Sequence, residues 1–161
     1  MTSTDLQPRL DPGAIAPALF KKYLDFATTF TLNEGLALLV DIRASQLNGC
    51  AFCLDMHVKQ ARIAGERELR LHHVAIWRES PLFSPKERAA LAWAEVLTRL
   101  GVEGVTDADY RQVCECFSEL ELVELTFRVM AINGWNRLNI AFRRTPGSLD
   151  RPYGLDKAGL K

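Results

Sequence analysis

The sequence predicts an all-α fold, and three observations carry that expectation. Apolar residues recur at helical intervals in nearly every segment, as in Leu91, Ala94 and Leu97. Strict alternation of apolar and polar residues, the mark of half-buried strands, is scarce. Two serines open capping boxes, Ser84-Pro85-Lys86-Glu87 and Ser118-Glu119-Leu120-Glu121, in which serine and glutamate satisfy each other's backbone donors at a helix start. With 161 residues, 48% of them hydrophobic, the chain suits a single domain, 1–161, with its core at about 14–146.

Residues 1–12 are polar and interrupted by Pro8 and Pro12, so they read as an N-terminal arm. Helices are expected over about 14–29, 34–46 and 50–64, the last stopped by Gly65, with a shorter one over 66–74. Ser84 caps a helix to about Arg99, and Gly101 ends it. Cys114 and Cys116 fall on an amphipathic helix. Ser118 opens a long helix through about Phe142, with one interior glycine at Gly134, and its length marks it as the central helix. Beyond Phe142, turn-formers and charges replace the periodicity, which suggests an extended C-terminal arm.

Twenty basic residues balance twenty acidic ones, so nothing steers the chain toward nucleic acid or an anionic membrane surface. Apolar runs such as Leu36 to Val40 fall far short of the roughly 20 residues that span a bilayer. The first residues lack the basic and apolar regions of a secretory signal, which gives cytoplasmic as the expected location. Four cysteines in such a chain are too few for a disulfide scaffold, and a CxxC pair then reads as redox or metal chemistry.

That pair lies in Asn48-Gly49-Cys50-Ala51-Phe52-Cys53-Leu54-Asp55-Met56-His57. If a helix begins near Cys50, offsets of three and seven residues align Cys50, Cys53 and His57 along one stripe. Free N–H groups and the positive dipole end of the first turn favour a thiolate there, most of all at Cys50. A zinc site is the competing reading, with Cys114 and Cys116 as the second pair of ligands, and two packing cysteines the third.

The segment Ser45–His57, together with Trp77–Ser84, Glu87–Leu91 and Ile132–Leu138, resembles the alkylhydroperoxidase AhpD-like branch of the carboxymuconolactone decarboxylase family, over roughly residues 14–146. The resemblance implies a compact helical bundle assembling as a homo-oligomer, a trimer or hexamer. It implies reduction of a hydroperoxide substrate by the dithiol, which an external dithiol protein, thioredoxin-like or lipoyl-bearing, restores. Cys53 would be the attacking sulfur, Cys50 the resolving one and His57 the proton-transfer residue. Positions three apart on a helix put Cα atoms about 5 Å apart, inside the range of about 4.4–6.8 Å that a disulfide tolerates. The family's relay glutamate, twelve residues before the first cysteine, is Leu38 here. Glu34, one turn earlier, and Asp55, inside the motif, are the candidate replacements.

Two further readings stand beside this one: a redox-sensing oligomer without efficient turnover, and an enzyme acting on a small lactone acid like the family's decarboxylases. No nucleotide-binding loop, haem motif or flavin signature is present, so no organic cofactor is expected, and the zinc reading lacks a second half in the sequence unless the fold brings Cys114 and Cys116 close, so no metal is expected either. His72 and His73 read as surface residues, and Trp77, Trp93 and Trp135 as packing. Glu79, Glu87 and Arg88 read as caps and surface charges.

Overall fold

The computed structural model describes residues 7–160, and it is helical throughout. The helices are α1 (Pro12–Ile15), α2 (Pro17–Ala27), α3 (Glu34–Asn48), α4 (Ala51–Ile63), α5 (Glu68–His73), α6 (Pro85–Thr98), α7 (Asp107–Cys114), α8 (Glu119–Ala141) and α9 (Asp150–Tyr153). Among the described residues the only β pairing is an isolated bridge between Gly101 and Gly104. None of these helices is long and apolar enough to cross a membrane. Both predicted capping boxes form, at Ser84/Glu87 and Ser118/Glu121. A third, Thr106/Asp109, opens α7 with aspartate in the glutamate position.

The helix expected over 14–29 is two helices. Pro17 disfavours helical backbone in the residue before it, so Ala16 leaves the α region (φ −131°, ψ 63°) and the chain restarts with proline in the first turn. The central position belongs to α3 rather than α8. Every residue from Leu36 to Ile42 is buried, because the segment is apolar nearly all round, as a fully enclosed helix must be. α3 packs on α4, α6 and α8 and feeds all three hydrophobic clusters. α8 keeps Val123, Phe127 and Met130 on an exposed face.

Gly134 explains itself through α2. A Cβ there would lie 1.9 Å from the Tyr23 hydroxyl, which donates to the Ala131 carbonyl at 2.8 Å. The missing side chain lets the tyrosine lie against α8, where its ring also meets Trp135 at 4.6 Å. The residues after Phe142, expected as an extended arm, fold back instead. α9 and a 3-10 turn (Leu155–Ala158) dock on α4, burying Leu155 and Ala158. Lys59, only 4% exposed, fixes them by reaching Asp55 at 2.8 Å and Asp150 at 2.7 Å. Asp55 also accepts the Gly147 N–H at 3.0 Å. Of the N-terminal arm, residues 1–6 lie outside the described part. Arg9 is tied to the end of α8, its N–H on the Phe142 carbonyl at 2.9 Å.

α3 and α4 are joined by the tightest reversal in the chain. Gly49 adopts the left-handed conformation (φ 68°), its N–H bonds the Gln46 carbonyl, and the Cys50 N–H bonds the Ser45 carbonyl at 3.0 Å. This is a Schellman ending, and Cys50 serves in the same step as N-cap of α4. No atom crowds a Cβ at Gly49, so the glycine is needed for its φ alone. We expect Gly49→Ala to lower the unfolding free energy by about 1–2 kcal/mol in urea denaturation. An unchanged midpoint would contradict this account of the turn.

Candidate active site

Cys50 stands outside the helix, in extended backbone (φ −86°, ψ 94°), and its sulfur folds over the first turn to accept the Cys53 N–H at 3.4 Å. The common stripe expected from helical offsets is therefore made by a cap rather than by a turn of helix. Both cysteines are free thiols, and their sulfurs lie 2.8 Å apart. Cys50 is 2% exposed and Cys53 fully enclosed. Ala44, Phe52 and Ile132 complete their cluster, with Met56, Trp135 and Leu149 packed against it.

The two thiols are unequal. The hydrogen bond from the Cys53 thiol draws Cys50 below its ordinary pKa and outweighs burial, and the Cys53 N–H and the Asn136 amide add to it. The same hydrogen bond, then burial and the charge on Cys50, push Cys53 up. The pair thus holds its first negative charge on Cys50, as the dipole argument favours, with the remaining proton on Cys53. Asn139 donates a hydrogen bond to the Cys53 sulfur at 3.3 Å.

His57 follows Cys53 by one turn and is buried. Its Nδ1 lies 2.8 Å from Gln60 Oε1 and 3.5 Å from Asp41 Oδ2. Two acceptor oxygens on that side place the proton on Nδ1 and leave Nε2 as the basic nitrogen. Asp41, 1% exposed, is gripped by both arms of the Arg128 guanidinium, through Nε at 3.0 Å and through its second nitrogen. Burial pushes His57 below its ordinary value; the Asp41 carboxylate opposes this and the Arg128 charge reinforces it.

The structure therefore brings Cys50, Cys53 and His57 into one region and leaves the two expected acids elsewhere. Glu34 is exposed in the first turn of α3, at the opposite end of that helix from the dithiol, about 20 Å away by helical rise. Asp55 anchors the C-terminal segment through Lys59 and Gly147. Leu38 belongs to the hydrophobic core beneath α4. The acid that faces His57 is Asp41, one turn after Leu38, which sequence spacing alone did not single out. Sequence reasoning also missed the asparagines of α8. Asn133, Asn136 and Asn139 repeat every third residue, and all are buried. Asn48 at the end of α3 donates to Asn133 at 3.0 Å and Asn136 at 2.8 Å, while Asn136 donates to Ser45 at 3.1 Å. Three amides at that spacing inside an apolar helix were the signal.

Cys114 is exposed at the end of α7 and Cys116 packs beside another cluster. Among the described residues no three His, Cys, Asp or Glu side chains group as a metal site, so the CxC pair does not join the dithiol. Trp77 and Trp93 are buried, donating to Glu95 at 2.8 Å and Thr126 at 3.0 Å. Glu87 caps α6 and pairs with Arg70, and Arg88 donates to the Trp77, Arg78 and Ser80 carbonyls. His72 is exposed, and His73 contacts Ser80 Oγ at 2.9 Å.

A buried neutral His57 has a pH signature. Its folded pKa lies below the free value of 6.5, so below about pH 6.5 the unfolded chain binds a proton that the folded chain refuses. Its contribution to stability is therefore complete above that pH and lost as the pH falls. We expect His57→Gln to flatten the acid limb of the stability curve by up to about 1.4 kcal/mol per pH unit. Parallel curves for the two proteins would mean that His57 protonates freely.

Residues 17–96 match the carboxymuconolactone decarboxylase family. The chain is 39% identical over 139 residues to the uncharacterized protein YdfG of Bacillus subtilis (strain 168), spanning 84% of this chain and 95% of that one. Among solved structures it is similar to a protein of unknown function from Agrobacterium tumefaciens, provisionally described as the antioxidant defence protein AhpD. The TM-score is 0.83 at 34% identity, over 87% of this chain and 98% of that one. A peroxidase-related protein with an AhpD core from Ralstonia eutropha JMP134 shares the fold, with a TM-score of 0.74 at 20% identity over 84% and 74% of the two chains. The likeness spans the helices that carry the dithiol, His57 and the asparagine row, and the chain belongs to the carboxymuconolactone decarboxylase family, in its AhpD-like branch.

Proposed function

We propose that this protein reduces hydroperoxides with the Cys50–Cys53 dithiol. The observation that carries the reading is the pair itself: two free, buried thiols with their sulfurs 2.8 Å apart at a helix start. The kinship with AhpD-like proteins supports it.

Ionisation of the dithiol releases one proton and leaves the charge on Cys50 and the remaining proton on Cys53. Passage of that proton from Cys53 to Cys50 produces the Cys53 thiolate, next to Asn139. The Cys53 thiolate attacks the terminal oxygen of the hydroperoxide, the O–O bond breaks, and the organic oxygen leaves as an alkoxide that takes up the proton released on ionisation of the dithiol. Cys53 becomes a sulfenic acid. The Cys50 sulfur then attacks Cys53, the S–O bond breaks, and water leaves with the Cys50 proton. Two thiols and one hydroperoxide give a disulfide, an alcohol and water. His57, with Nε2 basic and Nδ1 held by Gln60 beside Asp41, is the proton carrier for these steps. Asp41 takes the part expected of Glu34 or Asp55. An external dithiol protein, thioredoxin-like or lipoyl-bearing, returns the disulfide to two thiols. Assembly as a homo-oligomer, a trimer or hexamer, fits the exposed apolar face of α8 at Val123, Phe127 and Met130.

Consumption of cumene hydroperoxide under excess dithiol is the direct test, and Cys50→Ser and Cys53→Ser should each abolish it. After one equivalent of peroxide, dimedone should trap a sulfenic acid on Cys53 in the Cys50→Ser protein. Trapping on Cys50 in the Cys53→Ser protein instead would reverse the order of attack. A disulfide that forms once and is not recycled by dithiols would favour a redox sensor, and activity indifferent to thiol blocking a lactone-acid enzyme.

His57→Gln should slow turnover on the order of a hundredfold at neutral pH. Glu34→Gln should leave the rate unchanged, and a loss there would return the relay to that residue.

A further inference from the structure

A pocket of about 320 Å3 opens beside the dithiol, between the N-terminal segment at Pro8–Pro12, the end of α8 and residues 144–149. Its volume stands at the low end of ordinary ligand sites, about 300–1,000 Å3. Two of its walls are also walls of the dithiol. Asn139 lines the pocket and donates to the Cys53 sulfur, and Leu149 lines it and packs against the cluster that holds both sulfurs. Asn139 thus touches both the pocket and the enclosed Cys53 sulfur.

The lining is apolar at Leu10, Phe142 and Leu149 and includes two arginines, Arg9 and Arg144. Neither arginine has a carboxylate partner among the described residues. Both are positioned. Arg9 donates from its side chain to the Ala141 carbonyl at 3.1 Å. Arg144 follows a second Schellman ending, in which Arg143 takes the left-handed conformation (φ 54°) and the Arg144 N–H bonds the Asn139 carbonyl at 3.0 Å. Its guanidinium stands 5.3 Å over the Phe52 ring, between the two cysteines in sequence. The one lining carboxylate, Asp11, is engaged as the cap of α1, accepting the Gly13 N–H at 3.0 Å.

We propose that this pocket selects hydroperoxides with a short apolar body and an anionic carboxylate, a refinement that rests on the peroxidase reading above. The body lies against Leu10, Phe142 and Leu149, the carboxylate meets Arg9 and Arg144, and the peroxide oxygens face Cys53. Guanidinium and carboxylate match in shape as well as charge, and partial enclosure strengthens the pairing over one in open water.

The test separates binding from turnover. Calorimetry on the full chain compares 4-isopropylbenzoate with the neutral 4-isopropylbenzamide, and peroxidase assays compare cumene hydroperoxide with its para-carboxylate. We expect the benzoate to bind at least about tenfold tighter than the amide, and the carboxylated peroxide to show a correspondingly lower KM. The double variant Arg9→Gln/Arg144→Gln should erase both preferences, Arg144→Lys should keep part of them, and Arg151→Gln, outside the pocket, should keep them whole. Equal binding of acid and amide, or a preference that survives the double variant, overturns the proposal even if both peroxides are consumed. Arginine-dependent binding of the benzoate without consumption of either peroxide supports the anion site and sinks the peroxidase reading instead.

Discussion

The site depends on one backbone constraint, the left-handed residue at Gly49. By ending α3 and starting α4 within two residues, it makes Cys50 the last bonded N–H of one helix and the cap of the next. The two helices then run back along each other, so residues equally far from the turn come together. Asp41 stands eight residues before Gly49 and His57 eight after it, and they meet at 3.5 Å. Ser45 and Cys53 stand four before and four after, beside the same Asn136. An acid at Leu38 would lie a turn further from the dithiol than Asp41 does.

Around this hairpin, burial sets the strength of each polar contact. Asp41 and Arg128 neutralise one another inside the protein, and removing either would leave a charge with little water around it. The asparagine row of α8 does something different: its amides can donate to sulfur and oxygen alike without bringing charge. Asn136 and Asn139 thus hold the cysteines in a polar environment while the surrounding Ala44, Phe52 and Ile132 keep water out. The hydrogen bond between the two sulfurs is enclosed by these neighbours.

Much of this was legible in the sequence. Serine–glutamate boxes named two helix starts because capping is local chemistry, and the CxxC-x3-His segment announced the thiols and the imidazole for the same reason. What escaped was set by contacts between distant segments. α3 lies at the centre because three other helices cover it, which its short apolar run hinted at without revealing the partners. Asp41 was overlooked because spacing was counted from the cysteines toward a family position, whereas the turn at Gly49 sets the pairing. The C-terminal segment looked unstructured since its order comes from Lys59, Asp55 and Asp150 rather than from its own periodicity.

That last attachment bears on how the protein is made. Leu149, a wall of the dithiol's surroundings, and Asp150, through which Lys59 anchors it, belong to a segment synthesised long after the cysteines. On the ribosome, α3, α4 and most of the bundle can form before this segment emerges. The thiols then spend part of translation with one side uncovered, open to oxidants of any size. Enclosure of the dithiol on the Leu149 side is consequently a property that the nascent chain lacks until that segment has emerged and docked.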